Sequence, residues 1–130
     1  MAKKAEGGEL DAGSMRIVQI GCGTTGFAYA SALQSLGVQV TLLERCHQII
    51  EQHMDSCDIF HIDDAGAEIL RDISAIFLAV PTPQKARRLD FQSLADTLPT
   101  VRRIVRANPR AVVVLRRYVS TWIGWAMPDN

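Results

Sequence analysis

The sequence is poor in cysteine and holds no long apolar run. Its three cysteines, Cys22, Cys46 and Cys57, are odd in number and lack CxxC spacing. That argues against a disulfide framework and against a zinc site, and it fits a reducing compartment. No apolar stretch approaches the ~20 residues that carry a helix across a bilayer, so no membrane association is expected. The opening "MAKKAEGGELDAGS" has no hydrophobic segment of the kind a secretory signal needs. It reads as a disordered tail or a cloning scar over residues 1–14, with one domain expected over 15–130. A cytoplasmic location follows from these absences as an expectation.

Net charge is also missing. Fourteen Lys and Arg balance fourteen Asp and Glu, so composition alone gives no pull toward nucleic acid. The balance hides an asymmetry: residues 1–65 hold 4 basic against 9 acidic side chains, and residues 66–130 hold 10 against 5. Arg102, Arg103 and Arg106 fall on one solvent face of a helix that could track phosphates, but no aromatic interleaving accompanies them. Solvated helix faces account for them more simply, and nucleic acid is not expected as a partner.

What is present is an alternation of short apolar runs with helical spacing. "MRIVQIG", "VQVTLLE", "DIFHID", "SAIFLAV" and "RAVVVLR" read as five strands; buried parallel strands look continuous in their apolarity. Between them, Phe27, Ala30, Leu33 and Leu36 recur at helical spacing up to a stop at Gly37. "CHQIIEQHM" reads as a short helix with Ile49, Ile50 and His53 near one face, and "AGAEILRDI" as another. Asp90 can cap a helix from Phe91 whose buried stripe is Phe91, Leu94, Leu98, Val101, Ile104 and Val105, with a kink or break at Pro99.

At the first strand–helix junction, Gly21, Gly23 and Gly26 form G-x-G-x-x-G. The pattern alone is weak, but here it follows a strand, opens a helix, and precedes a second strand ending in the acid Glu44. Gly21 permits a tight turn, Gly23 leaves room for a pyrophosphate, and Gly26 lets helix and strand pack closely. N–H groups and the helix dipole at Thr24–Gly26 then face phosphates, with Thr24 or Thr25 as a hydroxyl donor. Glu44, 18 residues after Gly26, can accept hydrogen bonds from an adenosine ribose and repel a 2′-phosphate, which favours NAD over NADP. Arg45 works the other way, since a guanidinium there could neutralise such a phosphate. The alternative is a glycine turn that binds nothing. His61 with Asp63 and Asp64 could be taken for a metal cluster; a strand residue followed by a helix start is the simpler reading, and no metal is expected. The expected architecture is α/β: a Rossmann-type doubly wound parallel sheet of about five strands in the order 3-2-1-4-5, with a ligand crevice at the carboxyl ends of strands one and four.

Several of these motifs, taken in order, give a family resemblance. "MRIVQIGCGTTG", "GVQVTLLE", "IFLAVPTP", "LDFQSL" and "RAVVVLR" are similar to successive elements of the N-terminal NAD-binding domain of the UDP-glucose/GDP-mannose dehydrogenase family, over residues 15–124. The resemblance implies that Gly21, Gly23, Thr24, Thr25 and Gly26 hold the pyrophosphate, that Glu44 holds the adenine ribose, and that Val80, Pro81 and Thr82 lie under the cofactor. Those enzymes oxidise a sugar-nucleotide alcohol to a carboxylate with two NAD and a cysteine-linked intermediate. The chain departs from them in three places. The Glu-Pro-Gly-Leu-like loop before "DIFHID" is missing. Arg116-Arg117-Tyr118-Val119-Ser120 stands where the family has Arg-Ser-Thr-Val-Pro, so Ser120 and Thr121 replace the Ser-Thr pair only with a shift. No cysteine occupies the catalytic position. The expectation is an NAD(H)-binding domain without full catalysis alone, completed by a missing catalytic domain or acting as a homodimer. The alternative is a nucleotide-sensing regulatory or interaction module, with Trp122, Ile123, Trp125 and Met127 as a core cap or an interface.

Overall fold

Five runs rich in Ile, Val and Leu pair into one parallel sheet in the computed structural model of the chain. Its described residues are 14–80, 84–85, 88–89 and 92–115. The strands are β1 (Arg16–Ile20), β2 (Gln39–Glu44), β3 (Asp58–His61), β4 (Ala75–Leu78) and, after a two-residue antiparallel ladder of β5 (Gln84–Lys85) with β6 (Arg88–Leu89), β7 (Val112–Leu115). Their spatial order is β3-β2-β1-β4-β7, the predicted 3-2-1-4-5 with β7 as the fifth sheet strand. The register runs Ile17 beside Val40 and Ala75, and Ile20 beside Leu43 and Leu78.

Helices cover both faces. On one, α1 (Thr24–Ser35) and α2 (His47–His53) bring Phe27, Ala30, Leu33, Ile49 and Ile50 onto Ile17, Val40, Leu42 and Ile59. On the other, α3 (Gln92–Ala107) lays Leu94, Val101, Ile104 and Val105 against Val18, Ile20, Leu43, Ile76 and Leu78. Successive strand residues feed opposite faces, as the period of two requires. The fold is thus a Rossmann-type doubly wound sheet, and β1 is the switch point: the crossovers to β2 and β3 build one side of it, and the one after β3 returns past it to β4.

Helix ends follow from sequence. Gly37, at φ 89°, closes α1 in a Schellman arrangement, with its N–H donating to Gln34 O at 2.9 Å and the Val38 N–H to Leu33 O at 3.2 Å. Leu36, expected on the buried face, is the exposed C-cap.

Three expectations are corrected. Residues 65–73 form turns rather than a helix. Ala65, Leu70 and Ile73 are buried there, while the Arg16 guanidinium takes the carbonyls of Arg71 at 2.8 Å and Ile69 at 3.1 Å. Asp72 has φ 58°, which ends any helical run. The second correction is Leu98, which is exposed, while Thr97 is buried with its hydroxyl donating to Leu94 O at 2.7 Å. Leu98 lies at the margin of the helical stripe, and the satisfied Thr97 hydroxyl can be buried at little cost. Third, of the kink or break expected at Pro99, the break does not occur, because α3 runs continuously from Gln92 to Ala107. The lost donor falls to the Ala95 carbonyl on an exposed stretch where water can replace it. Asp90 and Phe91 lie outside the described residues.

Asn108 joins α3 to the 65–73 turns. Its Nδ2 donates to Leu70 O at 2.6 Å and Ile104 O at 2.9 Å, and its Oδ1 accepts the Ile73 N–H at 2.8 Å. All of this is buried. Asn108→Ala strands the Leu70 carbonyl and the Ile73 amide, while Ile104 O keeps the backbone N–H of residue 108, so urea titration should show a loss of about 2 kcal/mol. A loss below about 0.5 kcal/mol would mean water replaces the side chain without cost.

Candidate functional site

The three glycines at the junction of β1 and α1 are not equivalent. Gly21 has φ 100°, and a Cβ there would lie 2.5 Å from the Ala79 carbonyl oxygen at the end of β4. Its N–H also donates to Leu43 O at 2.9 Å. A side chain at 21 is therefore excluded twice, by backbone conformation and by contact. A Cβ on Gly26 would lie 2.9 Å from Gly21 O and 3.0 Å from Gln19 Nε2, so α1 packs on the loop only as closely as glycine allows. A Cβ on Gly23 would meet nothing within 4 Å. Gly23 is exposed, with extended φ −74° and ψ −169°, as the N-cap of α1. Among the described residues, no contact or dihedral calls for glycine at this position.

The loop leads into a helix start with unspent donors. The Phe27 N–H is the first to bond within α1, to Gly23 O at 2.8 Å. The N–H groups of Gly23, Thr24, Thr25 and Gly26 precede it and have no intrahelical acceptor. No side chain caps the helix and no acid stands in its first turn. Donors and dipole together favour an anion here.

Glu44, the last residue of β2, reaches the same loop. Its Oε1 accepts the Cys22 N–H at 2.7 Å, and its Oε2 accepts those of Arg45 at 2.9 Å and Cys46 at 2.8 Å. A carboxylate offers about four lone-pair sites. Three are filled by backbone, and Oε1 keeps capacity for another donor. Glu44 is half-buried at the carboxyl end of the sheet, where the crevice of this fold lies. Arg45 follows it on the exposed rim. Val80, after β4, packs against the core on the α3 side. Pro81, Thr82 and the aromatic residues Trp122 and Trp125 lie outside the described residues.

Gln19 was missed as a site residue, although an amide inside the apolar strand "RIVQI" was a visible signal. It is fully buried on the α1 face, and its Nε2 donates to Gly21 O at 3.0 Å and Gly26 O at 2.6 Å. One amide thus ties the first and last glycines together. Its Oε1 is buried with no partner among the described residues, a cost that the loop's geometry must offset. The histidines add two ring stacks, His47 on His61 at 4.7 Å and His53 on Phe27 at 4.0 Å. His61 Nδ1 accepts the Asp63 N–H at 3.1 Å, so His61 and Asp63 form a local turn contact.

Comparisons with known proteins agree with this geometry. Residues 16–58 match the pyridine nucleotide-disulphide oxidoreductase family, a span from β1 through the glycine loop and Glu44 to the start of β3. No curated protein matches the sequence. Among solved structures, a UDP-glucose dehydrogenase from the hyperthermophilic archaeon Pyrobaculum islandicum is similar over 93% of this chain, at 17% identity and a TM-score of 0.64. The A chain of dipicolinate synthase from Bacillus subtilis is similar over 98%, at 14% identity and a TM-score of 0.52. This chain spans 34% of the dehydrogenase and 45% of the synthase chain. The family match supports a dinucleotide-binding domain of the pyridine nucleotide oxidoreductase type, and the structural likenesses support its fold. No helix among the described residues is long and apolar enough to cross a membrane.

Burial pushes the Cys22 thiol up to about 11, helped by the neighbouring Cys57 and the Glu44 carboxylate, and burial raises Cys57 as well. The folded state then binds more protons than the unfolded state between about pH 9 and pH 11. Stability is full below pH 9 and falls as pH rises through about 11. Chemical denaturation across that range should show the decline, and Cys22→Ala should lessen it. A profile as steep in the variant would assign the decline to other groups.

Proposed function

We propose that this domain binds NAD(H), with the pyrophosphate on the loop of Gly21, Gly23, Thr24, Thr25 and Gly26 and the adenosine ribose on Glu44. Gly23 carries the proposal. Packing accounts for Gly21 and Gly26, but nothing among the described residues requires glycine at 23, so its place there is read as coming from a ligand that approaches the backbone. Gln19 holds the loop in shape from beneath. Glu44 accepts from the ribose with its remaining lone pair and disfavours a 2′-phosphate. The family resemblance assigns Val80, Pro81 and Thr82 to the cofactor as well, and Arg45 stands at the rim. A bound nicotinamide would supply hydride transfer; the chain's own part is to bind, orient and exclude water.

The resemblance to sugar-nucleotide dehydrogenases makes a finer reading available: the domain serves such an oxidation, with a further catalytic domain or a second copy supplying the missing nucleophile. The similarity to the Pyrobaculum dehydrogenase over most of this chain favours that reading. A sensing module without redox chemistry is the second reading. It is favoured by the exposed valines of β7, Val112 and Val113, which form an open apolar edge among the described residues.

Two variants test the cradle. Gly23→Val places its Cβ in open space and keeps an ordinary backbone conformation, so the melting temperature should hold, while NADH affinity measured by calorimetry should fall at least about tenfold. Unchanged affinity in the folded variant would remove the pyrophosphate from the loop. Glu44→Ala should weaken NADH more than NADPH; the opposite order would take Glu44 away from the ribose.

A further inference from the structure

Arg45 is the cation that adjoins Glu44 in the chain, yet its guanidinium is engaged on α3. Nη1 lies 3.5 Å from Asp96 Oδ2, and Nη2 donates to the Asp96 carbonyl oxygen at 3.3 Å. Asp96 is itself fixed, since its Oδ1 accepts Gln92 Nε2 at 2.8 Å one helical turn earlier. The chain Gln92–Asp96–Arg45 therefore runs from α3, the helix between β4 and β7, to the residue after β2. It links elements on the two sides of β1, at whose carboxyl end the ligand crevice of this fold opens.

We propose that Asp96 is a cofactor-selectivity residue. This rests on the dinucleotide reading above. A 2′-phosphate beside Glu44 meets a carboxylate and needs a cation to offset it, and a neighbouring arginine is the group that can do so. Asp96 holds that arginine at two points on α3 and neutralises it. Among the described residues, the ribose site is left with the Glu44 carboxylate and no free guanidinium, which selects the unphosphorylated ribose of NAD(H). Residues 44 and 45 carry the chemistry for both cofactors, and Asp96 decides between them from outside the loop.

The test is calorimetric titration with NADH and with NADPH on the full chain, on Asp96→Asn, on Arg45→Gln and on the double variant. Both positions are exposed, and circular dichroism melts verify folding. Asp96→Asn should tighten NADPH about three- to fivefold with little change for NADH, the range expected of an exposed pair in water. Asp96→Ser should do the same, and the gain should vanish in the Arg45→Gln background. Equal gains for both nucleotides, no gain, or a gain that persists without Arg45 would each overturn the inference. A wild-type chain that binds NADH while Asp96→Asn leaves its selectivity unchanged overturns this inference alone. A folded wild-type chain that binds neither nucleotide overturns the dinucleotide reading along with it.

Discussion

The contact between Gly21 and the Ala79 carbonyl is the constraint on which the rest of the site depends. The chain leaving β1 must turn sharply against the end of β4, and the turn exists only because residue 21 has no side chain. Once it is made, Gly21 O comes under Gly26, α1 starts where it does, and the N–H groups of its first turn stand at the carboxyl end of the central strand. Gln19 and Glu44 secure this arrangement from two sides, the amide from within the strand and the carboxylate from the next one.

Glu44 is shared between fold and proposed function. Its three backbone bonds tie the glycine loop to the bend after β2, which sets the distance between the loop amides and the carboxylate proposed to accept the ribose. A carboxylate is suited to both tasks because it accepts many hydrogen bonds and donates none. The same bend presents Arg45 to α3. Loop shape, the proposed ribose recognition and the charge of the rim are thus coupled through three consecutive positions, Glu44, Arg45 and Cys46, the last contributing its backbone N–H.

Much of this was legible in the sequence. The strand runs, the glycine spacing and the stop at Gly37 lie where period and backbone chemistry put them, and strand order follows from β–α alternation. The less legible parts depend on groups distant in the chain. Residues 65–73 read as a helix, but the Arg16 guanidinium and Asn108 satisfy their backbone instead. Leu98 reads as core until Thr97, with a carbonyl of its own helix to bond, takes the buried position. Gln19 was visible as an oddity in an apolar strand, but its partners, two glycine carbonyls, appear only in three dimensions. Asp96 carried no sequence signal, because its partner is 51 residues away.

The central claim is that the amides of the glycine loop and the bend after Glu44 form one nucleotide-binding surface. Backbone amide NMR during titration with NADH tests it directly. The account predicts shifts concentrated on residues 21–26 and 44–46, with saturation and little change at Asn108 or along residues 65–73. Shifts confined to other regions, or none at saturating NADH in a folded sample, would contradict it.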